Sequence, residues 1–217
     1  MDPTWRMVVV LTSGDLTKAT VAESLFRIGA LKFGKFTLAS GRTSSYYLDL
    51  RMIPSFPEVY SLAVSAYEDM AERIGASSFD IVAGVATAGI TFSSPLAFLL
   101  KKPMVYVRKE EKTHGLGRAV EGALTAGKRV LVIDDLVTSG GSILSAVEPL
   151  RRAGGVVSDA AVLVDRLEGG KSNLASVGIR LNAFAEITEL TEILRSNGRM
   201  TKEDFEAVAK QVGRRPA

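Results

Sequence analysis

One stretch in the middle of the chain joins an apolar run to two acidic residues and then to a loop of small residues. Residues 130–133 read Val-Leu-Val-Ile, Asp134 and Asp135 follow, and residues 138–142 read Thr-Ser-Gly-Gly-Ser. Unbroken apolar runs rich in β-branched residues are typical of parallel strands covered on both faces. Ligands of open α/β sheets bind at the carboxyl ends of such strands, where the next helix offers N–H groups to an anion. The segment therefore predicts a cradle for a sugar phosphate.

An ordinary strand-to-helix turn would account for only part of this segment. A helix needs one N-cap acceptor, whereas the segment supplies two carboxylates, the hydroxyls of Thr138, Ser139 and Ser142, and two glycines that permit close backbone approach. The segment is not a nucleotide-triphosphate loop of the pattern G-x-x-x-x-G-K-[ST], which is missing here. The sugar-phosphate interpretation is therefore favoured.

The length and composition fit one domain. The chain has 217 residues, 47% of them hydrophobic, and no Pro- or Ser-rich linker divides it. We predict a single domain over residues 1–217 that includes a small N-terminal hood at about residues 18–52. Without cysteine, neither a disulfide framework nor a thiolate metal site is available. The apolar run at residues 7–11 is too short for a signal peptide, and no segment reaches the ~20 apolar residues of a membrane helix, so a cytoplasmic protein without membrane contact is expected.

The charge distribution does not favour nucleic-acid binding. The formal net charge is only +3, and basic residues are spread out except in the loop at residues 108–112 and at the tail, residues 214–215. No long basic stripe for a phosphate backbone appears. A modest positive potential also suits an enzyme whose substrate carries phosphates.

From residue 80 onward, strand-like and helix-like runs alternate. Strands are predicted at residues 80–84, 104–109, 129–135, 156–165 and 179–187. Helices are predicted at residues 90–101, 141–153, 191–196 and 201–212, and a further helix at residues 56–75 precedes this region. Such alternation predicts an α/β fold with a mainly parallel sheet flanked by helices. The first fifty residues differ, and a helix at residues 20–31 with a hairpin at residues 36–51 is predicted to form the hood.

A cationic loop is predicted to follow the strand at residues 104–109. Arg108, Lys109, Lys112 and the only histidine, His114, lie within seven residues, and glycines follow. This composition suits a mobile loop that closes over a polyanion, although solvated charged loops have the same composition. With no partner acid or second histidine, His114 alone predicts neither a metal site nor a catalytic triad.

Together these segments resemble the orotate branch of the type I phosphoribosyltransferases over about residues 29–166. The cradle segment by itself indicates only the wider family of type I phosphoribosyltransferases. Three further pieces point to the orotate branch, namely the loop Arg108-Lys109-x-x-Lys112-x-His114-Gly115, the hood segment at residues 31–42 with Ser45-Tyr46-Tyr47, and Asp165-Arg166 at the end of a strand. The resemblance implies the type I phosphoribosyltransferase fold.

The resemblance also implies a role for each matched position. In this family the two acids hold the ribose hydroxyls and the loop after them holds the 5′-phosphate. The corresponding positions here are Asp134, Asp135, Leu136, Val137, Thr138, Ser139, Gly140, Gly141 and Ser142. The diphosphate positions are Arg108, Lys109, Lys112 and His114, some of which reach into the neighbouring subunit, so a homodimer is implied. Catalysis is expected to depend on Lys112, His114, Asp134 and Asp135.

The orotate positions are Thr138 and Arg166, with Tyr47 and Leu48 where the pyrimidine ring lies. The planar fork of an arginine can bind both oxygens of a carboxylate. Magnesium is expected as the cofactor, bound through the diphosphate without direct protein ligands. Two positions depart from relatives. Ala39 stands where some relatives have a lysine that touches the ligands, and Ala88 stands where many relatives have a lysine, in the segment at residues 84–90 that matches the family's diphosphate-binding loop.

The expected function is transfer of ribose 5-phosphate from 5-phosphoribosyl 1-diphosphate to N1 of orotate. The products are orotidine 5′-monophosphate and diphosphate. One alternative is a phosphoribosyltransferase for another base, such as a purine. A purine has no carboxylate with which Arg166 could pair. The other alternative is a non-catalytic sensor of phosphoribosyl diphosphate that binds DNA, although little chain precedes residue 29 to form a helix-turn-helix.

Overall fold

The computed structural model describes residues 16–37, 41, 43–109 and 119–213, and a six-stranded sheet lies at its centre. The strands are β1 (Leu31–Thr37), β2 (Thr43–Leu48), β3 (Ile81–Val85), β4 (Met104–Val107), β5 (Val120–Glu121), β6 (Arg129–Val137), β7 (Val156–Asp165) and β8 (Arg180–Glu186). The helices are α1 (Lys18–Arg27), α2 (Pro57–Ile74), α3 (Ala88–Leu99), α4 (Gly141–Arg152), α5 (Gly170–Ala175), α6 (Ile187–Ser196) and α7 (Lys202–Gln211), and a 3-10 helix (Leu50–Ser55) precedes α2. No helix in this described part of the chain is long and apolar enough to cross a membrane.

The strand order of the central sheet creates a crevice between β3 and β6. The order is β5-β4-β3-β6-β7-β8, and all neighbouring pairs are parallel except β4 with β5. From β3 the chain proceeds to one side through β4, and from β6 it proceeds to the other side through β7 and β8. Open α/β sheets bind their ligands where the strand order reverses in this way. The predicted fold class, a mainly parallel sheet flanked by helices, is confirmed.

Alternate residues of β6 face two hydrophobic cores, as the period of two in a strand requires. Leu131 and Ile133 belong to a core shared with α1, the hood hairpin, α2 and α6. Val130 and Val132 belong to a second core that contains the apolar face of α4. The hood and one face of the sheet therefore share one core, and the acids that follow Ile133 are held on a strand packed from both sides.

The hood hairpin is longer, and its preceding helix shorter, than the sequence predicts. Helix α1 ends at Arg27 because Gly29 adopts a positive φ of 73° and the N–H groups of Gly29 and Ala30 return to carbonyls of the last helical turn. The chain is thereby freed to start β1 at Leu31, which pairs with Leu48 of β2 in antiparallel register. The predicted helical residues 28–31 are therefore a turn and the first strand residue.

The C-terminal helix contacts the hood. The Gln211 Oε1 atom accepts a hydrogen bond from the Ser45 main-chain N–H at 2.7 Å, and its Nε2 atom donates to the Ser44 Oγ atom at 3.1 Å. Helix α7 thus braces strand β2 from outside, although the two segments lie at opposite ends of the sequence.

Candidate active site

A cleft of about 390 Å³ lies at the carboxyl ends of β3 and β6, beneath the end of β2. Its walls come from five segments that are distant in sequence. The lining residues are Tyr47, Leu48, Asp49, Leu50, Arg51, Ala86, Thr87, Ala88, Lys109, Asp134, Asp135, Leu136, Val137, Thr138, Gly140, Gly141, Ser142, Ile143 and Arg166. Most of the residues predicted for the site are therefore brought together in one cavity.

The two adjacent acids lie at the floor of the cleft. Asp134 is 6% exposed, and its Oδ1 atom accepts a hydrogen bond from the Asp135 main-chain N–H at 3.0 Å. Burial, followed by the negative charge of Asp135, raises the pKa of Asp134. Burial also raises the pKa of Asp135. Asp134 is buried and Asp135 is half-buried, and two such carboxylates side by side disfavour double ionisation. The pair therefore suits hydrogen bonding to a diol.

The loop after the acids has the features of an anion-binding site. Gly140 adopts a positive φ of 86° immediately before α4. Together with Gly141 and Ser142, it places the first turn of this 12-residue helix along the cleft wall. The unpaired N–H groups and the positive end of the helix dipole favour a phosphate there. A β-carbon at Gly170 would lie 2.6 Å from the Thr138 carbonyl oxygen, so only glycine lets α5 support the loop this closely.

The segment after β3 forms the opposite wall. Ala86 and Thr87 line the cleft directly before α3, and Ala88 lines it as the first residue of that helix. A β-carbon at Gly89 would lie 2.3 Å from the Ile133 carbonyl oxygen, so the glycine allows the start of α3 to pack against β6 beside Asp134. Main-chain groups of the 86–88 segment are consequently close to the acids, whereas Ala88 contributes no charge.

Arg166 is held at the end of the cleft nearest the hood. The residue is only 7% exposed, and its Nε atom donates to the Tyr46 Oη atom at 3.0 Å. Its guanidinium carbon lies 4.8 Å from the Tyr46 ring centroid, and its Nη2 atom lies 2.8 Å from the Glu168 Oε1 atom. The arginine predicted to bind a carboxylate is therefore a buried and oriented group, not a surface side chain.

The two hood positions predicted to lie against the base both line the cleft. Tyr47 is 38% exposed, and its ring lies 5.7 Å from that of Phe36 across the hairpin. Leu48 is buried. These positions provide an apolar surface next to Arg166, as a planar aromatic ligand requires.

The predicted diphosphate residues are only partly located. Lys109 lines the cleft, whereas Arg108 lies outside the lining and its Nε atom is 3.1 Å from the Glu121 Oε1 atom. Lys112, His114 and Ala39 lie outside the described residues. Ser139 is exposed and does not line the cleft, and its carbonyl oxygen accepts a hydrogen bond from the Asn173 side chain at 2.9 Å.

Sequence reasoning missed two charged residues of the cleft, Asp49 and Arg51. The Arg51 Nε and Nη2 atoms donate to the two carboxylate oxygens of Asp49 at 2.7 and 2.8 Å. Hydrogen bonds from Arg51 lower the pKa of Asp49, and the same pairing raises the pKa of Arg51. The only sequence signal was an acid at the end of strand β2 with an arginine two residues later.

Comparison with known proteins agrees with this geometry. The phosphoribosyl transferase domain model matches residues 58–189. An orotate phosphoribosyltransferase from Sulfolobus acidocaldarius is 45% identical over 184 residues, which cover 84% of this chain and 89% of that protein.

Solved structures give the same relationship. The crystal structure of orotate phosphoribosyltransferase from Aeropyrum pernix is 39% identical, with a TM-score of 0.69, and the match covers 82% of this chain and 99% of that one. The structure of Leishmania donovani UMP synthase matches with a TM-score of 0.81 and 31% identity over 91% of this chain, which spans 42% of that larger protein. On this sequence and structural evidence, the chain belongs to the orotate phosphoribosyltransferase family.

Proposed function

We propose that the cleft transfers ribose 5-phosphate from 5-phosphoribosyl 1-diphosphate to N1 of orotate. The observation that carries this proposal is the presence of the buried Arg166 and the Asp134-Asp135 pair in one cavity. The acids suit the two ribose hydroxyls, and the arginine suits the carboxylate that distinguishes orotate from other bases. The products are orotidine 5′-monophosphate and diphosphate.

The 5′-phosphate is assigned to the loop that opens α4. Gly140, Gly141 and Ser142 line this part of the cleft, and Thr138 stands between them and Asp135. Hydroxyl donors and free helix N–H groups together bind a phosphate without a cationic side chain. In this arrangement the ribose spans from the loop to the acids.

The pyrimidine ring is assigned to the space between Thr138 and the hood. Tyr47 and Leu48 cover one face of that space, and Arg166 closes its end. Because Tyr46 and Glu168 hold the arginine in position, little side-chain ordering is needed when a carboxylate binds.

The chemistry requires positioning and charge stabilisation without a protein nucleophile. The bond from N1 of orotate to C1 of the ribose forms as the bond from C1 to the diphosphate oxygen breaks. The electron pair leaves with the diphosphate, and the N1 proton passes to an oxygen of that leaving group. Positive charge develops on the ring beside Asp134 and Asp135. Negative charge develops on the leaving group, where Lys109 and the loop residues Lys112 and His114 are assigned.

Magnesium is proposed to enter with the diphosphate. Within the described residues, no group of three or more His, Cys, Asp or Glu side chains could hold a metal ion, while Asp134 and Asp135 provide carboxylate oxygens in the cleft. Such a donor set fits a hard cation carried mainly by phosphate oxygens. When bound, the ion neutralises charge on the leaving group.

A homodimer with shared active sites is also proposed. Phe98 is 83% exposed and Leu99 is 48% exposed, next to each other at the end of α3. Exposed neighbouring large apolar side chains favour a protein contact. The sharing of active sites is inferred from the family resemblance, in which some residues of the cationic loop reach into the neighbouring subunit.

The reaction would place the protein in pyrimidine nucleotide biosynthesis, and a cytoplasmic location is proposed with it. The absence of cysteine from the sequence is compatible with a reducing compartment.

A panel of bases tests the proposed specificity. The purified protein is incubated with phosphoribosyl diphosphate, magnesium and one of orotate, uracil, adenine or hypoxanthine, and the nucleotide products are separated by chromatography. Orotidine 5′-monophosphate as the dominant product supports the proposal. A purine nucleotide as the dominant product, or no product from any base, contradicts it.

A further inference from the structure

Three cationic side chains line the described part of the cleft, and they occupy different places. Tyr46 and Glu168 hold Arg166 at the end of the cleft assigned to the pyrimidine ring. Lys109 stands where the cationic loop begins. Arg51 belongs to the 3-10 helix after the hood and has no role in the function proposed above.

Arg51 shares the cleft with the 86–88 segment, which matches the family's diphosphate-binding loop. The 3-10 helix packs against both α3 and β6, the two elements that carry the 86–88 segment and the acids. Asp135 is near enough for its charge to act on the Arg51 guanidinium. Arg51 and the ribose acids are therefore neighbours in one cavity, which the 86–88 segment also lines.

Asp49 fixes the direction of this arginine. Its carboxylate accepts hydrogen bonds from the Nε atom and the Nη2 atom of Arg51. The Asp49 Oδ1 atom also accepts a hydrogen bond from the Arg51 main-chain N–H at 3.1 Å. The Asp49 main-chain N–H donates to the Ala30 carbonyl oxygen at 2.8 Å, which anchors the pair to the hood. The Asp49 side chain is 22% exposed and that of Arg51 is 68% exposed.

This pairing leaves part of the guanidinium available to a ligand. An arginine has five N–H donors, and Asp49 engages only two side-chain donors on one edge. The donors of the other edge are directed away from Asp49, and a planar fork of this kind matches a phosphate oxygen pair.

The chain also has a particular need for a cation on this wall. The resemblance indicates that Ala88 stands where many relatives of the orotate family have a lysine, in the segment that matches the diphosphate-binding loop. The charge of the diphosphate rises as its bond to the ribose breaks, so a fixed cation there stabilises the transition state.

We propose that Arg51 is a binding residue for the diphosphate of the substrate, and that Asp49 is its positioning residue. The inference rests on the proposed function, because it takes phosphoribosyl diphosphate as the substrate. Arg51 is supplied by the subunit that holds the ribose, independently of the cationic loop.

The chain contains a matched control pair. Arg129 makes the same two-point contact with Asp80, through Nε at 3.1 Å and Nη2 at 2.8 Å. Arg129 is the first residue of β6 and is therefore at the opposite end of the strand from Asp135. Arg129→Ala removes an equivalent ion pair without touching the cleft.

The test compares two ligands that differ in the diphosphate. Calorimetry measures the affinity of wild type, Arg51→Ala, Arg51→Lys and Arg129→Ala for phosphoribosyl diphosphate with magnesium and, separately, for orotidine 5′-monophosphate. We expect Arg51→Ala to weaken phosphoribosyl diphosphate binding by about 10- to 100-fold and the monophosphate by less than about 2-fold. Arg51→Lys should recover part of the loss because it retains the charge, and Arg129→Ala should match wild type.

Two outcomes would overturn the inference. Equal loss of both ligands in Arg51→Ala would assign the residue a structural role in the hood, and unchanged binding of both would leave it no role in the site. Thermal unfolding of each variant identifies a folding defect. If Arg51→Ala is misfolded, the ratio of the two ligand affinities in Arg51→Lys tests the inference instead. Failure of wild type to convert orotate would instead reject the proposed function, whereas the affinity ratio would still report on Arg51.

Discussion

The Tyr67 hydroxyl donates a hydrogen bond to the main-chain oxygen of Asp134 at 2.7 Å. The Tyr67 Oη atom also accepts a hydrogen bond from the Leu163 main-chain N–H at 3.1 Å. One side chain of α2 therefore bridges strands β6 and β7 beneath the cleft. Tyr67 is fully buried, and burial raises its pKa well above the ordinary value, so it remains a neutral phenol. The position of the first cradle acid therefore depends on a helix far away in sequence.

Replacing Tyr67 with phenylalanine is expected to destabilise the protein. The change leaves two buried main-chain groups without a partner, at about 1–3 kcal/mol for each group. Denaturant unfolding should show the loss, and kcat should fall while the protein remains folded. Tyr60→Phe is the control, because the Tyr60 hydroxyl donates to the Thr91 carbonyl oxygen outside the cleft lining. Equal stability of the Tyr67 and Tyr60 variants would refute a special role for Tyr67.

The variant Asp134→Asn is expected to be more stable than wild type and nearly inactive. Because burial raises the folded-state pKa of Asp134, the folded protein binds this proton more tightly than the unfolded chain. Its contribution to stability is therefore complete below the unfolded value of 3.8 and is lost as pH rises towards the folded value. An asparagine removes the ionisation and keeps an acceptor for the Asp135 N–H.

Calorimetric melting from pH 5 to pH 9 checks this expectation. The Tm advantage of Asp134→Asn should grow with pH, by a few degrees or about 1–2 kcal/mol overall, while turnover falls by about 100-fold or more because the ribose loses a carboxylate partner. A difference in Tm that stays constant across this pH range would contradict the assigned burial cost.

The variant Tyr46→Phe should weaken orotate recognition selectively. It keeps the ring under the Arg166 guanidinium but removes the oxygen that accepts its Nε donor. We expect KM for orotate to rise about 5- to 10-fold, the worth of one charge-assisted hydrogen bond, with KM for phosphoribosyl diphosphate changed by less than about 2-fold. Steady-state kinetics with each substrate varied in turn measures both values. An equal rise in both would indicate a general disturbance of the hood.

Shared active sites predict complementation between two inactive variants. Lys112→Ala should lower turnover by orders of magnitude through loss of a loop cation, and Asp135→Asn should do so through the cradle. If each site combines one subunit's cradle with its partner's loop, an equal mixture exchanged into heterodimers recovers about a quarter of wild-type activity. Near-normal turnover of Lys112→Ala alone would remove the loop from the mechanism, and no recovery in the mixture would place both residues in the same subunit's site.

The exposed end of α3 predicts the position of the dimer contact. Phe98→Asp introduces a charge into the proposed interface and should shift the protein from dimer to monomer in sedimentation velocity. Val177→Asp, at another apolar residue that is 42% exposed, is the matched control and should stay dimeric. A Phe98 variant that remains dimeric would locate the contact elsewhere.

The fold was largely predictable from sequence because its strands are buried on both faces and therefore read as apolar runs. The β6 strand and the acids after it are the clearest case, since the run, the carboxylates and the glycines are adjacent in the chain. Helix α1 was misjudged at its end, where apolar residues 28–31 continue a helical pattern but Gly29 turns the chain.

The parts of the site that sequence did not reveal depend on tertiary contacts. Arg51 enters the cleft only because Asp49 begins a 3-10 helix that folds back against α3 and β6. Arg108 was expected to bind the diphosphate, yet here it pairs with Glu121 across β4 and β5, a contact that no local pattern encodes. The sequence carries no signal for the role of Tyr67, because its two hydrogen-bond partners lie on strands β6 and β7.

The central claim is tested most directly by following orotate absorbance as the purified protein meets orotate, phosphoribosyl diphosphate and magnesium. We predict loss of absorbance that requires all three components and is abolished in Asp135→Asn. Absorbance that stays constant with wild-type protein, under conditions where calorimetry shows tight binding of phosphoribosyl diphosphate, would contradict the account and favour a non-catalytic sensor.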